Sequence, residues 1–298
     1  MEDDSRILSY DPQDDDTVLS KTVPGNDKKL ARISISGFLE KDAVIKKDTA
    51  QASGEDSEKK NEDKPKKEEK QGFRPLRNYQ KGSHRFGTLI FLDSSIRART
   101  PLDIIPKPDM ITESEWFAVH ATLFFNQASV LYLQVQVACR EQHRGCRNKM
   151  MGGSRCEYLF SQGKDQPQSA PAYVYVKNLF VWLESCLDDV HYFPIKDFAE
   201  YPGDFIKVFK TFVKRIFRIF AHLNYAHRDD LMAASLSVGK NFERQLDDVL
   251  IHFLFFIKKF KLMEKREFDV MRHRYDAYLS QLGLAKEPGK RRAKQQIN

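Results

Sequence analysis

The chain has 298 residues with 49 Lys/Arg against 42 Asp/Glu, enough length for one or two domains and no extreme composition. Its charge is uneven: residues 1–72 carry 14 Lys/Arg against 18 Asp/Glu, a net −4, while the other 226 carry 35 against 24, a net +11. A basic body attracts nucleic acid, anionic lipid or phosphorylated protein, and net charge alone does not choose among them.

The acidic start MEDDSR has no apolar run behind it, so no secretory signal is expected. VLIHFLFFI, nine residues with a histidine inside, is the longest apolar run and is too short to cross a bilayer. Four cysteines do not make a disulfide framework in a chain of this size, which points to a soluble protein of a reducing compartment.

Residues 1–48 hold scattered apolar positions, RISISGFLE being the densest, without a sustained period. Residues 49–72 have two alanines as their only hydrophobic side chains, too few to offset chain entropy. Residues 1–72 are therefore predicted to be a disordered charged extension. Order is predicted from Phe73, beginning with an irregular stretch rich in Gly, Ser and Pro.

Thr112 and Glu115 form a T-x-x-E capping pair ahead of an apolar run. Phe117, Ala121, Phe124, Ala128, Leu131, Val135 and Ala138 then recur at steps of four and three, one face of a long helix at the centre of a bundle. Residues 140–170 read as loop with a short hairpin around CEYLF. Further helices are predicted over 173–188, 204–224, 241–260 and 265–282. Phe205, Phe209, Phe212, Ile216 and Phe220 mark the core face of the second of these. The last residues, 285–298, read as a basic tail. The prediction is one all-α helical bundle over 73–284.

Two sets of residues point to chemistry. Cys139 and Cys146 lie seven apart beyond the long helix, and His222 and His227 lie five apart near the end of another. Five residues advance an α-helix by about 500°, so the two rings share a face only if the helix unwinds near His227. Two thiolates and two imidazoles suit a closed tetrahedral zinc site, structural because no position is left for a reacting water. Buried free cysteines and histidines capping helix carbonyls are the plainer reading. His143, Cys156 and Cys186 are competing ligands, and Cys186 inside WLESCL reads as core. The second set is cationic. Lys207, Lys210, Lys214 and Arg218 line one helix face, and Arg215 stands about 100° round from Lys214. They form either a solvated basic face or, at Lys214, Arg215 and Arg218, three donors suited to a single phosphate.

FRPLRNYQKGSHRF, EWFAVHATLFFNQASVLY, SAPAYV, LDDVHYFP, VKRIFRIFAH and FFIKKFKLMEKREF, in this order, resemble the Mob (Mps-one-binder) kinase-coactivator family over residues 73–284. The resemblance implies a Mob-type helical bundle around a long central helix. It also implies a structural zinc on Cys139, Cys146, His222 and His227, and a phosphopeptide pocket on Lys214, Arg215 and Arg218. A non-catalytic adaptor is implied, taking phosphorylated segments of Ste20-class kinases or scaffolds and binding NDR/LATS-class AGC kinases through acidic residues of the central helix. Glu115 keeps one of those acids, whereas two others fall on Ile111 and Leu123.

Further departures are a six-residue gap between the two cysteines where the family has four, a longer segment before Trp182, and Gly72 in place of a regulatory threonine. The loss of two carboxylates favours, as an alternative, a phocein-like scaffold subunit of a phosphatase–kinase assembly. A nucleic-acid module would need a stacking platform or a recognition helix, neither of which is evident, and a zinc hydrolase would need an open coordination position. A cytoplasmic protein is expected, and a nuclear one as well if the KRRAK tail is an import signal rather than a solvated terminus.

Overall fold

The computed structural model describes residues 77–142, 145–160 and 166–285. The expected extension over 1–72, RISISGFLE within it, His143 and residues 286–298 of the tail lie outside the described residues. Helix α1 is His84–Ala98, begun by Ser83, whose hydroxyl accepts from the Phe86 amide. A short α2, Pro101–Ile104, has proline in its first turn, where a missing N–H is harmless.

The long helix α3 is Glu113–Val137, and the Thr112 side chain caps it at the Glu115 amide, as the T-x-x-E spacing predicts. Every residue from Glu115 to Ser129 is buried, so α3 is covered on all sides rather than along one stripe. A π-helical turn, Ala138–Gln142, and a 3₁₀ turn, Gly145–Arg147, follow. Next comes an antiparallel hairpin of β1, Met150–Gly153, and β2, Cys156–Tyr158, which pairs Met150 with Tyr158.

The remaining helices are α4 (Ala172–Asp188), α5 (Phe205–Ala226), α6 (Arg228–Val238), α7 (Phe242–Phe260), α8 (Lys265–Phe268) and α9 (Arg272–Gln281). Helices α1, α4, α5, α6 and α7 all pack on α3. The predicted face of α5 is the buried one: Phe205, Phe209, Phe212, Ile216 and Phe220 all lie in the core. Phe209 stacks on Phe117 of α3 with centroids 4.6 Å apart, and Phe253 of α7 meets Phe124 and Phe220 edge-on at 4.7 and 5.0 Å. Such pairs add about 0.5–1.5 kcal/mol beyond their buried area and fix where α5 crosses α3.

Three elements differ from the sequence reading. The stretch over 84–98 is helix rather than irregular, its Leu89, Leu92 and Ile96 buried along one face. Helix α6 has only Leu231 buried, which left no periodic signal. The last predicted helix is broken by a 3₁₀ turn, Asp269–Met271, which turns Phe268 and Met271 into the core.

Candidate metal centre and basic face

Cys139 stands in the π turn after α3, Cys146 in the 3₁₀ turn, His222 in the last turn of α5, and His227 at its end. The backbone of His227, at φ −129° and ψ 16°, has left the helix, the unwinding that a five-residue spacing demands. All four side chains are buried, and their ligand atoms lie within 4.8 Å of one another. The Cys139 sulfur is 3.6 Å from His222 Nε2, and the Cys146 sulfur is 3.8 and 3.5 Å from Nε2 of His222 and His227.

Both imidazoles are oriented from behind. Nδ1 of His222 donates to the Met151 carbonyl of β1 at 2.8 Å, and Nδ1 of His227 donates to Asp230 at 2.7 Å. Each Nε2 lone pair therefore faces the sulfurs, the arrangement that metal-binding histidines use. The centre is electron-rich. Contact with Cys139 first, then with His222 and His227, pulls the Cys146 thiol far below its usual range against the effect of burial. The same sulfur–sulfur contact, with burial behind it, pushes Cys139 up. Burial alone would lower His227, but Cys146 and Asp230 outweigh it and hold it above its usual range.

The structure thus brings together the four residues the sequence singles out, in spite of the longer gap between the cysteines. Of the competitors, Cys156 lies in β2 and Cys186 in α4, both outside the cluster. Sequence reasoning missed the two residues that orient the rings. Asp230, three residues after His227, carried a readable signal; the Met151 carbonyl carried none.

The cations of α5 differ in how they are held. Lys207 and Lys210 are exposed, as a solvated face requires. Lys214 is 33% exposed, with Nζ 3.4 Å from Glu267. The Arg215 guanidinium lies 3.8 Å over the Trp182 ring of α4. Arg218 donates to the Tyr175 hydroxyl at 2.9 Å and sits 5.6 Å over the Tyr158 ring of β2. Gly152 of β1 faces that same tyrosine so closely that a Cβ there would come within 2.5 Å of the ring. The hairpin, Tyr175 and Arg218 are therefore packed together, while Arg215 is held on Trp182 of α4.

Glu115 does not present a surface carboxylate. It is 2% exposed and Arg85 is 1% exposed. The two form a fork-to-carboxylate pair, with Arg85 Nη2 donating at 2.6 Å and the Tyr201 hydroxyl donating to the same oxygen at 2.8 Å. Arg85 also donates to the Pro194 carbonyl and to the Tyr201 hydroxyl. Within the fold Glu115 is thus held by Arg85 and Tyr201, and a partner's cation would have to displace that guanidinium. Ile111 and Leu123, at the positions of the other acids, are 6% and 1% exposed and belong to the core. They present no side chain to a partner.

Residues 94–271 match the Mob1/phocein family. The chain is 31% identical over 199 residues to MOB kinase activator-like 1 homolog C of Dictyostelium discoideum, covering 66% of this chain and 88% of that protein. It is 28% identical to MOB kinase activator-like 3 of Drosophila melanogaster, over 66% of this chain and 87% of the relative. With MOB kinase activator 3C of Bos taurus the identity is 29%, over 67% and 90%. On the family match and the helical bundle together, the chain belongs to the Mob1/phocein family.

Proposed function

We propose that this protein is a non-catalytic kinase coactivator and adaptor that reads a phosphorylated segment of one partner at Lys214, Arg215 and Arg218 and binds a protein kinase elsewhere on its surface. The observation that carries the reading is the holding of two guanidiniums by aromatic rings beside a partly exposed lysine. Planar guanidinium forks fixed in this way lose little freedom on binding a phosphate, and Lys214 adds a point charge. A phosphothreonine brings about −2 charge and three acceptor oxygens. The phosphorylated partner is a Ste20-class kinase or a scaffold, and the kinase is of the NDR/LATS class. The relatives' names as kinase activators support the kinase half of this reading.

Cys139, Cys146, His222 and His227 hold a structural zinc in this reading. A tetrahedron with Zn–S near 2.3 Å and Zn–N near 2.05 Å has sulfur-to-nitrogen edges of about 3.5–3.6 Å. The observed separations of 3.5, 3.6 and 3.8 Å fit that size. The ion would tie the end of α3 to the end of α5 and supply folding energy, with no position left for a reacting water.

The test is a calorimetric titration with a phosphothreonine peptide and its unphosphorylated twin. Only the phosphorylated one should bind, and Lys214→Glu/Arg215→Glu/Arg218→Glu should abolish binding while the zinc content stays at one per chain. Undiminished binding by that variant refutes the pocket.

A second reading, a phocein-like scaffold subunit that binds no AGC kinase, is favoured by the burial of Glu115, Ile111 and Leu123. None of these offers the acidic contact expected of a kinase-activating surface.

A further inference from the structure

Beyond the basic face lies a cavity of about 520 Å³ between the hairpin turn, the C-terminal end of α5 and the α8–α9 segment. Arg155, Arg266 and Arg274 line it together with His273 and Tyr225, and Asp269 is its one carboxylate. Asp269 is already engaged, 3.5 Å from Arg272. Among the described residues, Arg155, Arg266 and Arg274 make no ion pair. Arg155 and Arg266, on exposed residues, are a cation excess around one concavity, and Arg274 adds a third guanidinium that also acts on Asp247 and Tyr278. The His273 imidazole is held below its usual range by burial first and by Arg274 second.

The cavity continues the basic face. Lys214, Arg218 and Tyr225 follow one another on α5 at spacings of four and seven, one side of a helix. Glu267, the partner of Lys214, is the chain neighbour of Arg266. Seven helical residues rise about 10.5 Å, the span of three to four residues of extended peptide.

From this arrangement we infer a second anion subsite, in which the cavity of Arg155, Arg266 and Arg274 takes a carboxylate or phosphate side chain of the bound peptide, three or four positions from the phosphothreonine. The inference rests on the phosphopeptide reading above. It adds a specificity: the segment recognised carries two anionic positions at a fixed separation. A guanidinium fork is suited to either anion, and each charge-assisted hydrogen bond made in a recess is stronger than one on open surface.

The test uses synthetic phosphothreonine peptides with neutral flanks, with a glutamate or a phosphoserine placed three or four residues to either side, or with the same acid placed eight residues away. On the intact protein one near placement should tighten binding by about tenfold, the size of one charge-assisted contact. Arg155→Gln/Arg266→Gln, at exposed positions, should remove that gain and leave the affinity for the neutral-flank peptide unchanged. The His273 ring resonances should shift only with the acidic peptide. An equal gain from the distant acid, or a gain that survives the double variant, overturns the subsite, as does no gain while the neutral-flank peptide still binds. Failure of every phosphopeptide to bind the intact protein overturns the phosphopeptide reading and this subsite with it.

Discussion

Glu115→Gln is the sharpest perturbation of the core. The substitution keeps shape and one acceptor oxygen but leaves the Arg85 guanidinium charged in a place where it is 1% exposed. Removing one partner of a buried pair costs about 3–5 kcal/mol, because the remaining charge is desolvated without compensation. Tyr201 and the Pro194 carbonyl still contact Arg85, which favours the lower half of that range. In a domain of this size about 1 kcal/mol moves the melting temperature by about 2–4 °C, so a fall on the order of 10 °C is expected. Arg85→Met/Glu115→Gln removes both charges and should recover most of the loss, since apolar replacement of a buried pair is often close to neutral. Calorimetric melting and urea titration of the parent, Glu115→Gln, Arg85→Met and the double variant measure the cycle. If Glu115→Gln melts within about 2 °C of the parent yet loses kinase binding, Glu115 faces the partner and its structural assignment here is wrong.

Three further outcomes are expected. Prolonged chelation, or His222→Ala, should release zinc and unfold the ends of α3 and α5, seen as lost cooperativity in melting; a metal-free protein with an unchanged transition contradicts the clamp. His252 is fully enclosed, and burial lowers it from 6.5 to about 3. Its neutral form is required by the fold, so its contribution is whole above about pH 6.5 and falls as pH drops toward 3, by roughly 2 kcal/mol at pH 5. His252→Leu should flatten the urea stability profile between pH 6.5 and 4.5 by about one proton, and an unchanged slope refutes this. Trp182→Ala frees the Arg215 guanidinium from its ring and should weaken phosphopeptide binding several-fold at unchanged zinc content; unchanged affinity would mean that the ring does not preorganise Arg215.

The sequence made the large features legible for identifiable reasons. Helix α3 showed through its T-x-x-E cap and apolar positions at helical spacing, six of the seven within it and Ala138 in the π turn that follows, and the core face of α5 through five large side chains at helical spacing. Spacing proposed Cys139, Cys146, His222 and His227 but left His143, Cys156 and Cys186 as competitors, and the family resemblance chose among them; the helix does end between His222 and His227, as their meeting requires. Helix α1 was hidden by Gly87 and a run of hydroxyl residues, although Ser83 and the Leu89–Leu92–Ile96 face were there to be read. Helix α6, with one buried side chain, offered nothing to read. The role expected of Glu115 came from the family resemblance, and its burial against Arg85 was not legible in the sequence. Its partner Arg85 is 30 residues away, on the helix that was missed. The cavity of Arg155, Arg266 and Arg274 is assembled by tertiary packing from segments far apart in the chain, so no spacing encodes it.

The most direct test of the adaptor role is recovery of the intact protein with its stable partners from its own cells, beside Lys214→Glu/Arg215→Glu/Arg218→Glu. The adaptor reading requires an NDR/LATS-class kinase with the parent protein, and loss of a second, phosphorylated partner with the variant. A phosphatase scaffold recovered equally with both proteins, and no such kinase with either, would contradict it.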